Sequence, residues 1–130
     1  MDKKYIELFK EITRVTAISA EQVMEYDKKQ SDEKGYEAAK VMRDDFSELQ
    51  DKLEANDFDG VLTKAEYAKL LIGTLVIANT LRDKVTALNK AIHGYEKDLA
   101  PKLQKILDES TSDNEAQKIA EEILIINNNE

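Results

Sequence analysis

The sequence predicts an all-α fold, an antiparallel coiled-coil-like bundle of about four helices with one long central helix. Charged residues make up 35% of the chain and aromatic residues 6%, with one proline and four glycines among 130 residues. Strands favour β-branched and aromatic runs, so this composition favours helices. Apolar residues also recur at alternating spacings of three and four, as in a heptad seam. The hydrophobic content of 42% is sufficient for a packed core.

Two helices are predicted in the first part of the chain, over residues 2–30 and 33–54. Their seams contain Tyr5, Phe9, Ile12, Thr16, Ser19, Val23 and Tyr26 in the first, and Ala39, Met42, Phe46, Leu49 and Leu53 in the second. Either Ser31 or Asp32 supplies the N-cap of the second helix. A kink midway along the first helix is an alternative, because Ser19 fits the start of a capping box.

A third, long helix is predicted from Thr63 to about Leu99. Its seam contains Tyr67, Leu71, Thr74, Ala78, Leu81, Val85, Leu88, Ile92, Tyr95 and Leu99. Some 35 residues at about 1.5 Å each would span roughly 50 Å. The segment LLIGTLVIA, residues 70–78, is apolar on every face, so other helices or a second copy of the chain should enclose it. Gly73 lies in this segment and leaves room for another backbone.

Two short amphipathic helices are expected after the long one. Asp98 is the expected cap of the first, with Pro101 inside its first turn. Ser112 is expected to cap the last helix. Residues 1–126 are therefore assigned to a single helical domain, and residues 127–130 to a frayed C-terminal tail.

The stretch ANDFDGVLTKAEYAKLL, residues 55–71, resembles the loop and exiting helix of the EF-hand calcium-binding family. With the glycine at loop position six, the family pattern is matched at Asp57, Asp59, Gly60, Leu62 and Glu66. Loop position one falls on Ala55, whose side chain has no oxygen, and the seam of the preceding helix is out of phase with the loop. The resemblance implies a degenerate calcium binder as one function for this chain.

The same residues also make a simple turn between two helices, and we favour this interpretation. Gly60 supplies a positive φ, while Asn56 or Asp57 can bond the local backbone. Thr63 and Glu66 fit a capping box that begins the next helix. The turn interpretation does not require a side-chain oxygen at Ala55, so we assign no metal site.

Residues that carry chemistry are scarce. The chain has no cysteine and only one histidine, His93, so one copy cannot form a thiolate or multi-histidine metal site. The residue three before His93 is Lys90, which excludes the Glu-x-x-His pairs of di-iron bundles. Glycine-rich phosphate loops, nucleophile elbows and metalloprotease helices are absent from the sequence. We therefore predict a protein that is not an enzyme and needs no cofactor.

The net charge of −8 is unevenly distributed. Residues 43–59 carry a net −5 and residues 108–130 a net −6, whereas residues 79–107 carry a net +3. This distribution disfavours direct binding to nucleic acid. The longest uncharged stretch has 12 residues, against about 20 for a membrane span, and the N-terminus has no signal-peptide pattern. We expect a cytoplasmic protein without membrane contact.

Two functional hypotheses from different classes follow. The first is a helical interaction or regulatory module, typical of a small bacterial or phage accessory protein, that docks another protein or a second copy of itself. The second is an acidic decoy, which imitates a phosphate backbone and occupies the basic groove of a nucleic-acid-binding enzyme. The predicted contact residues are acidic: Asp44, Asp45, Glu48, Asp51, Asp57 and Asp59. Salt should weaken decoy binding far more than apolar docking.

Overall fold

The computed structural model describes residues 2–80 and 99–125, with residues 78–80 described by their backbone alone. These residues contain five helices and no strand, which confirms the all-α class. The helices are α1 (Lys3–Lys29), α2 (Glu33–Glu54), α3 (Lys64–Thr80), α4 (residues 99–109) and α5 (Asp113–Ile123). The antiparallel order of the whole bundle stays a prediction.

The first two helices begin and end close to their predicted bounds. α1 is uninterrupted, so the alternative of a new helix starting at Ser19 is wrong. Ser31 adopts a φ of 57° in the connecting turn, and Asp32 is the N-cap of α2. The Asp32 carboxylate accepts a hydrogen bond from the backbone N–H of Gly35 at 3.0 Å, as an N-cap should.

The predicted capping boxes are present at α3 and, in altered form, at α5. Thr63 Oγ1 accepts the N–H of Glu66 at 3.1 Å, and the Glu66 carboxylate accepts the N–H of Thr63 at 2.8 Å. Ser112 caps α5 through the N–H of Glu115 at 3.2 Å. The Glu115 carboxylate binds the N–H of Thr111 at 3.1 Å instead of reaching back to the cap residue.

The predicted long third helix is described only as far as Thr80. Its seam positions from Leu81 to Tyr95 lie outside the described residues, as do the expected cap Asp98, the histidine His93 and the tail 127–130. The last predicted seam residue, Leu99, is described and is buried in α4. Pro101 lies within α4 and is exposed.

The first three helices form a closely packed unit. α1 and α2 pack as a helical hairpin, in which Glu21 lies 3.9 Å from Arg43. Lys52 of α2 is joined to Glu66 of α3 at 2.6 Å. α3 lies against both helices at Gly73. A Cβ placed there would lie 2.8 Å from Ile12 Cγ2 and 3.0 Å from Phe46 Cε1, so the glycine permits this approach.

A single hydrophobic cluster joins all five helices. Its largest fully buried side chains are Phe9, Ile12, Leu53, Leu62, Tyr67, Leu70, Ile77, Leu99, Leu103, Ile106 and Leu124. Leu62 comes from the loop before α3, and Leu124 from the residue after α5. The backbone N–H of Asp2 donates to Leu124 O at 3.0 Å, which fastens the start of α1 to the end of α5. The core is therefore built from both ends of the described chain.

Within one chain, the described side chains of LLIGTLVIA are not enclosed on every side, and enclosure by a second copy stays a prediction. Leu70, Thr74 and Ile77 are buried, but Ile72 is 49% exposed and Leu75 is 42% exposed. α3 packs on α1 and α2 and also contacts α5, and the described helices leave the side with Ile72 and Leu75 only partly covered. No helix in the described part of the chain is long and apolar enough to cross a membrane.

Candidate partner-binding groove

The distal half of α1 leaves two predicted seam residues uncovered. Val23 is 48% exposed and Tyr26 is 64% exposed, although the heptad pattern predicts both in the core. In their place Ala20, Met24 and Asp27 are buried. The reason is tertiary: several helices surround the first half of α1, whereas the described neighbour of the second half is mainly α2. Burial there shifts to the side of α1 that faces α2.

The uncovered residues border a groove of about 560 Å³ between α1 and α2. Its α1 wall contains Thr16, Ser19, Ala20, Gln22, Val23, Tyr26 and Asp27, its α2 wall contains Gly35, Ala38, Ala39 and Met42, and Val76 of α3 lies at one end. We call this the distal groove. The lining is mainly apolar, and its volume lies in the range of ligand sites, about 300–1,000 Å³.

Two buried polar side chains in the distal groove have no partner among the described residues. Thr16 Oγ1 is fully buried and forms no hydrogen bond. Asp27 is 9% exposed and forms no side-chain hydrogen bond or ion pair with a described residue. Buried polar groups normally have partners, so two such groups in one groove are a candidate recognition feature.

The first turn of α2 shapes the Asp27 end of the groove. A Cβ placed on Gly35 would lie 2.6 Å from Oδ2 of Asp27 and 2.6 Å from Oδ2 of Asp32. Gly35 therefore provides the space in which both carboxylates lie. The heptad pattern did not predict that Asp27 is buried, although the sequence contains a signal. Ala20, Met24 and Asp27 are separated by four and three residues, so a charged residue stands where a helical stripe would have an apolar one.

The acidic residues predicted to contact a partner are divided between two places. Asp44, Glu48 and Asp51 lie on the exposed side of α2, opposite its buried residues, and Asp45 is half-buried. Asp57 and Asp59 are exposed in the loop that follows. Asp44 is already paired with Arg43 at 2.9 Å, which reduces its availability to a partner.

The calcium-loop residues are used in local structure. Asp59 Oδ1 accepts the N–H of Val61 at 3.0 Å, and Gly60 has the positive φ of 82° that the turn interpretation predicts. The Glu66 carboxylate, the expected bidentate calcium ligand, binds the Lys52 ammonium at 2.6 Å and the Thr63 N–H. Within residues 2–80 and 99–125, no group of three or more metal-ligating side chains could hold an ion.

Gln117 fastens this loop to α5, a role that the sequence analysis missed. Its side-chain oxygen accepts hydrogen bonds from the N–H of Leu62 at 2.9 Å and from the Tyr67 hydroxyl at 2.6 Å. Its amide nitrogen donates to Gly60 O at 2.9 Å and to Glu121 at 3.2 Å. A signal was present: Gln117, Ala120 and Leu124 are spaced as one helical stripe.

Tyr67, one of these partners, is a core residue with an altered acidity. Burial raises the pKa of the Tyr67 hydroxyl well above its ordinary value, and the nearby carboxylates Glu121 and Glu66 raise it further. The hydroxyl therefore stays protonated and keeps donating to Gln117. Its role is structural, and it lies outside the distal groove.

The fold and the distal groove define the class of molecule: an all-α helical bundle with an exposed, mainly apolar groove at the end of its α1–α2 hairpin. Comparison of the chain with protein-family models, curated proteins and solved structures finds no match.

Proposed function

We propose that the protein is a non-enzymatic interaction module that docks an amphipathic helix of another protein in the distal groove. The observation that carries this proposal is the exposure of Val23 and Tyr26 at seam positions, beside the buried Thr16 and Asp27, whose side chains bond no described residue. A hydrophobic groove is the surface into which an amphipathic helix lays its apolar face.

The shape of the distal groove favours a helix as its occupant. α3 lies between α1 and α2 at Gly73, in contact with Ile12, Thr16 and Phe46, and Val76 reaches the near end of the groove. The groove extends the same α1–α2 channel toward the turn of the hairpin. α3 occupies the part of this channel at Gly73, so a second helix of similar width suits the part nearer the hairpin turn.

The expected energetic centre of the contact is Tyr26. Tyrosine is among the residues that most often dominate binding free energy, because it buries a large rigid surface and offers a hydroxyl. Tyr26 is the most exposed large apolar residue bordering the groove, so docking would remove more of its surface from water than of Val23.

Replacing Tyr26 with serine should weaken partner binding by about tenfold or more, because truncating a central aromatic costs more than about 1.4 kcal/mol. Val41→Ser is the matched control, since Val41 is 59% exposed on α2 but does not line the groove. The measurement is capture of partners from a lysate of the source organism on each variant. Mass spectrometry identifies the proteins, and calorimetry then gives the affinity of each purified partner.

Equal retention of one partner by wild type, Tyr26→Ser and Val41→Ser would place docking elsewhere on the protein. Recovery of the protein alone would support self-assembly, which sedimentation of the purified chain would measure. Partners that survive washing at high salt support apolar docking, because salt screens charge pairs and leaves apolar contact intact.

The acidic decoy remains the second candidate because of the exposed face of α2. Glu48 and Asp51 form no ion pair or side-chain hydrogen bond with a described residue, and Asp44 lies on the same face. Successive acids on this face are separated by three or four residues, or about 4.5–6 Å along the helix axis. Such a row of carboxylates could occupy a basic groove built for phosphates.

Changing all three acids to serine tests the decoy. If it is correct, the triple variant should lose a basic, nucleic-acid-handling partner while keeping its helical circular dichroism. Wild-type binding should also fall by about tenfold or more between about 50 and 200 mM salt. The matched control removes three exposed acids from α4 and α5: Asp108, Glu109 and Glu122. Binding that survives the α2 substitutions would end the decoy hypothesis.

A further inference from the structure

Asp27 is the one buried carboxylate among the residues that the structure describes. It lines the distal groove and forms no side-chain hydrogen bond or ion pair with those residues. Its side chain is therefore largely removed from water and has no counter-charge among these residues. A cation that entered the groove would supply that counter-charge.

The backbone around Asp27 does not supply the missing partner. Gly35 lies beside the Asp27 carboxylate, but its N–H donates to Asp32 at 3.0 Å. The positive end of the α2 dipole offsets part of the Asp27 charge. A dipole is weaker than a full opposite charge at contact distance, so the Asp27 carboxylate remains available to a cation.

The charges near Asp27 also favour a cation. Asp27 borders a second cavity, of about 470 Å³, at the turn between α1 and α2. Its other charged lining residues are Lys28, Asp32, Glu33 and Glu37, so three acids and one base surround the Asp27 carboxylate. An anionic ligand would be repelled from this end of the groove, whereas a cationic one would be attracted.

We propose that Asp27 receives the ammonium group of a lysine side chain on the docked helix. This inference rests on the proposed docking function and specifies the chemistry of the partner. Lysine fits better than arginine because one carboxylate oxygen, Oδ2, is packed over Gly35, whereas an arginine fork uses both oxygens. The apolar walls at Val23 and Ala38 suit the four-carbon stem of lysine, whose charged end then reaches Asp27.

The test uses n-butylammonium, which is the lysine side chain alone, and 1-butanol, its neutral counterpart. Each is titrated into the full-length ¹⁵N-labelled protein, and the amide signals of Val23, Asp27 and Gly35 are followed by NMR. We expect n-butylammonium to shift these signals with at least about tenfold higher affinity than 1-butanol, because only the cation pairs with the carboxylate. In Asp27→Asn the two affinities should become equal within about twofold.

Asp32→Asn is the matched control, because it removes one negative charge at the same end of the groove and keeps a good N-cap residue. It should leave the preference for n-butylammonium within about twofold of wild type. An equal loss in Asp32→Asn and Asp27→Asn would overturn the assignment to Asp27. If Asp27→Asn fails to fold, the two wild-type titrations and the Asp32→Asn titration decide the question.

The outcomes separate this inference from the docking function. If both probes shift the groove amides equally in wild type, the lysine assignment is wrong and apolar docking stands. If neither probe shifts them, Asp27 is not a cation acceptor, and the comparison of Tyr26→Ser with Val41→Ser still decides where partners dock.

Discussion

Replacing Gln117 with leucine should lower the free energy of unfolding by about 3 kcal/mol, because at least two buried groups lose their partners at about 1–3 kcal/mol each. The substitution keeps a similar side-chain volume but removes every hydrogen bond of the amide. The N–H of Leu62 and the hydroxyl of Tyr67 would then be buried without an acceptor. Chemical denaturation followed by circular dichroism measures the loss, which corresponds to a fall of about 10 °C in the melting temperature.

Gln104→Leu is the control for this substitution. Gln104 is exposed on α4 and makes one side-chain hydrogen bond, to Asp108 at 3.0 Å. Its replacement should change the free energy of unfolding by no more than about 0.5 kcal/mol. Equal effects of the two substitutions would mean that water or local rearrangement provides hydrogen bonds for the Leu62 N–H and the Tyr67 hydroxyl. Gln117 would then not hold the loop to α5.

Replacing Gly73 with valine should destabilise the protein by about 3 kcal/mol, at the upper end of the cost of overpacking a core. The first added carbon would already lie 2.8 Å from Ile12 Cγ2 and 3.0 Å from Phe46 Cε1. Both neighbours are buried, so neither can turn away freely. Gly73→Ala should cost only about 1 kcal/mol, because alanine regains about 1 kcal/mol of helix propensity.

Two further variants separate packing at Gly73 from an effect of valine on the helix. Ala65→Val, at an exposed position in the first part of α3, should cost no more than about 0.5 kcal/mol. Ile12→Ala should partly rescue Gly73→Val, because it removes the methyl group that the new side chain meets first. Strict additivity of the Ile12 and Gly73 substitutions would show that the two positions do not share the contact.

The sequence by itself determined the helical class and much of the local structure. The caps of α2, α3 and α5 follow from short-range chemistry, in which a side-chain oxygen bonds an N–H three residues ahead. The seam of α2 was also largely correct, with four of its five predicted residues buried, namely Ala39, Phe46, Leu49 and Leu53. Such features depend on residues within one or two turns of each other, so their spacing in the sequence is enough to reveal them.

The same reasoning could not locate the candidate site. A heptad pattern shows which side of a helix can be buried, but the packing of distant segments decides which part is covered. Val23 and Tyr26 match the seam as well as Phe9 does, yet only Phe9 lies within the cluster that all five helices share. Spacing alone therefore could not distinguish a core position from a binding position.

Tertiary structure alone decided the roles of Gln117 and Asp27, because both depend on partners that the chain brings together or withholds in space. Gln117 is 55 residues from Leu62 along the chain, yet their atoms lie 2.9 Å apart. Asp27 lies on a stripe of apolar spacing, and only the packed hairpin shows that its side chain is buried and bonds no residue in the described part of the chain. Hydrogen bonding and desolvation act between atoms in contact, so the sequence defined the available groups and the fold determined their environments.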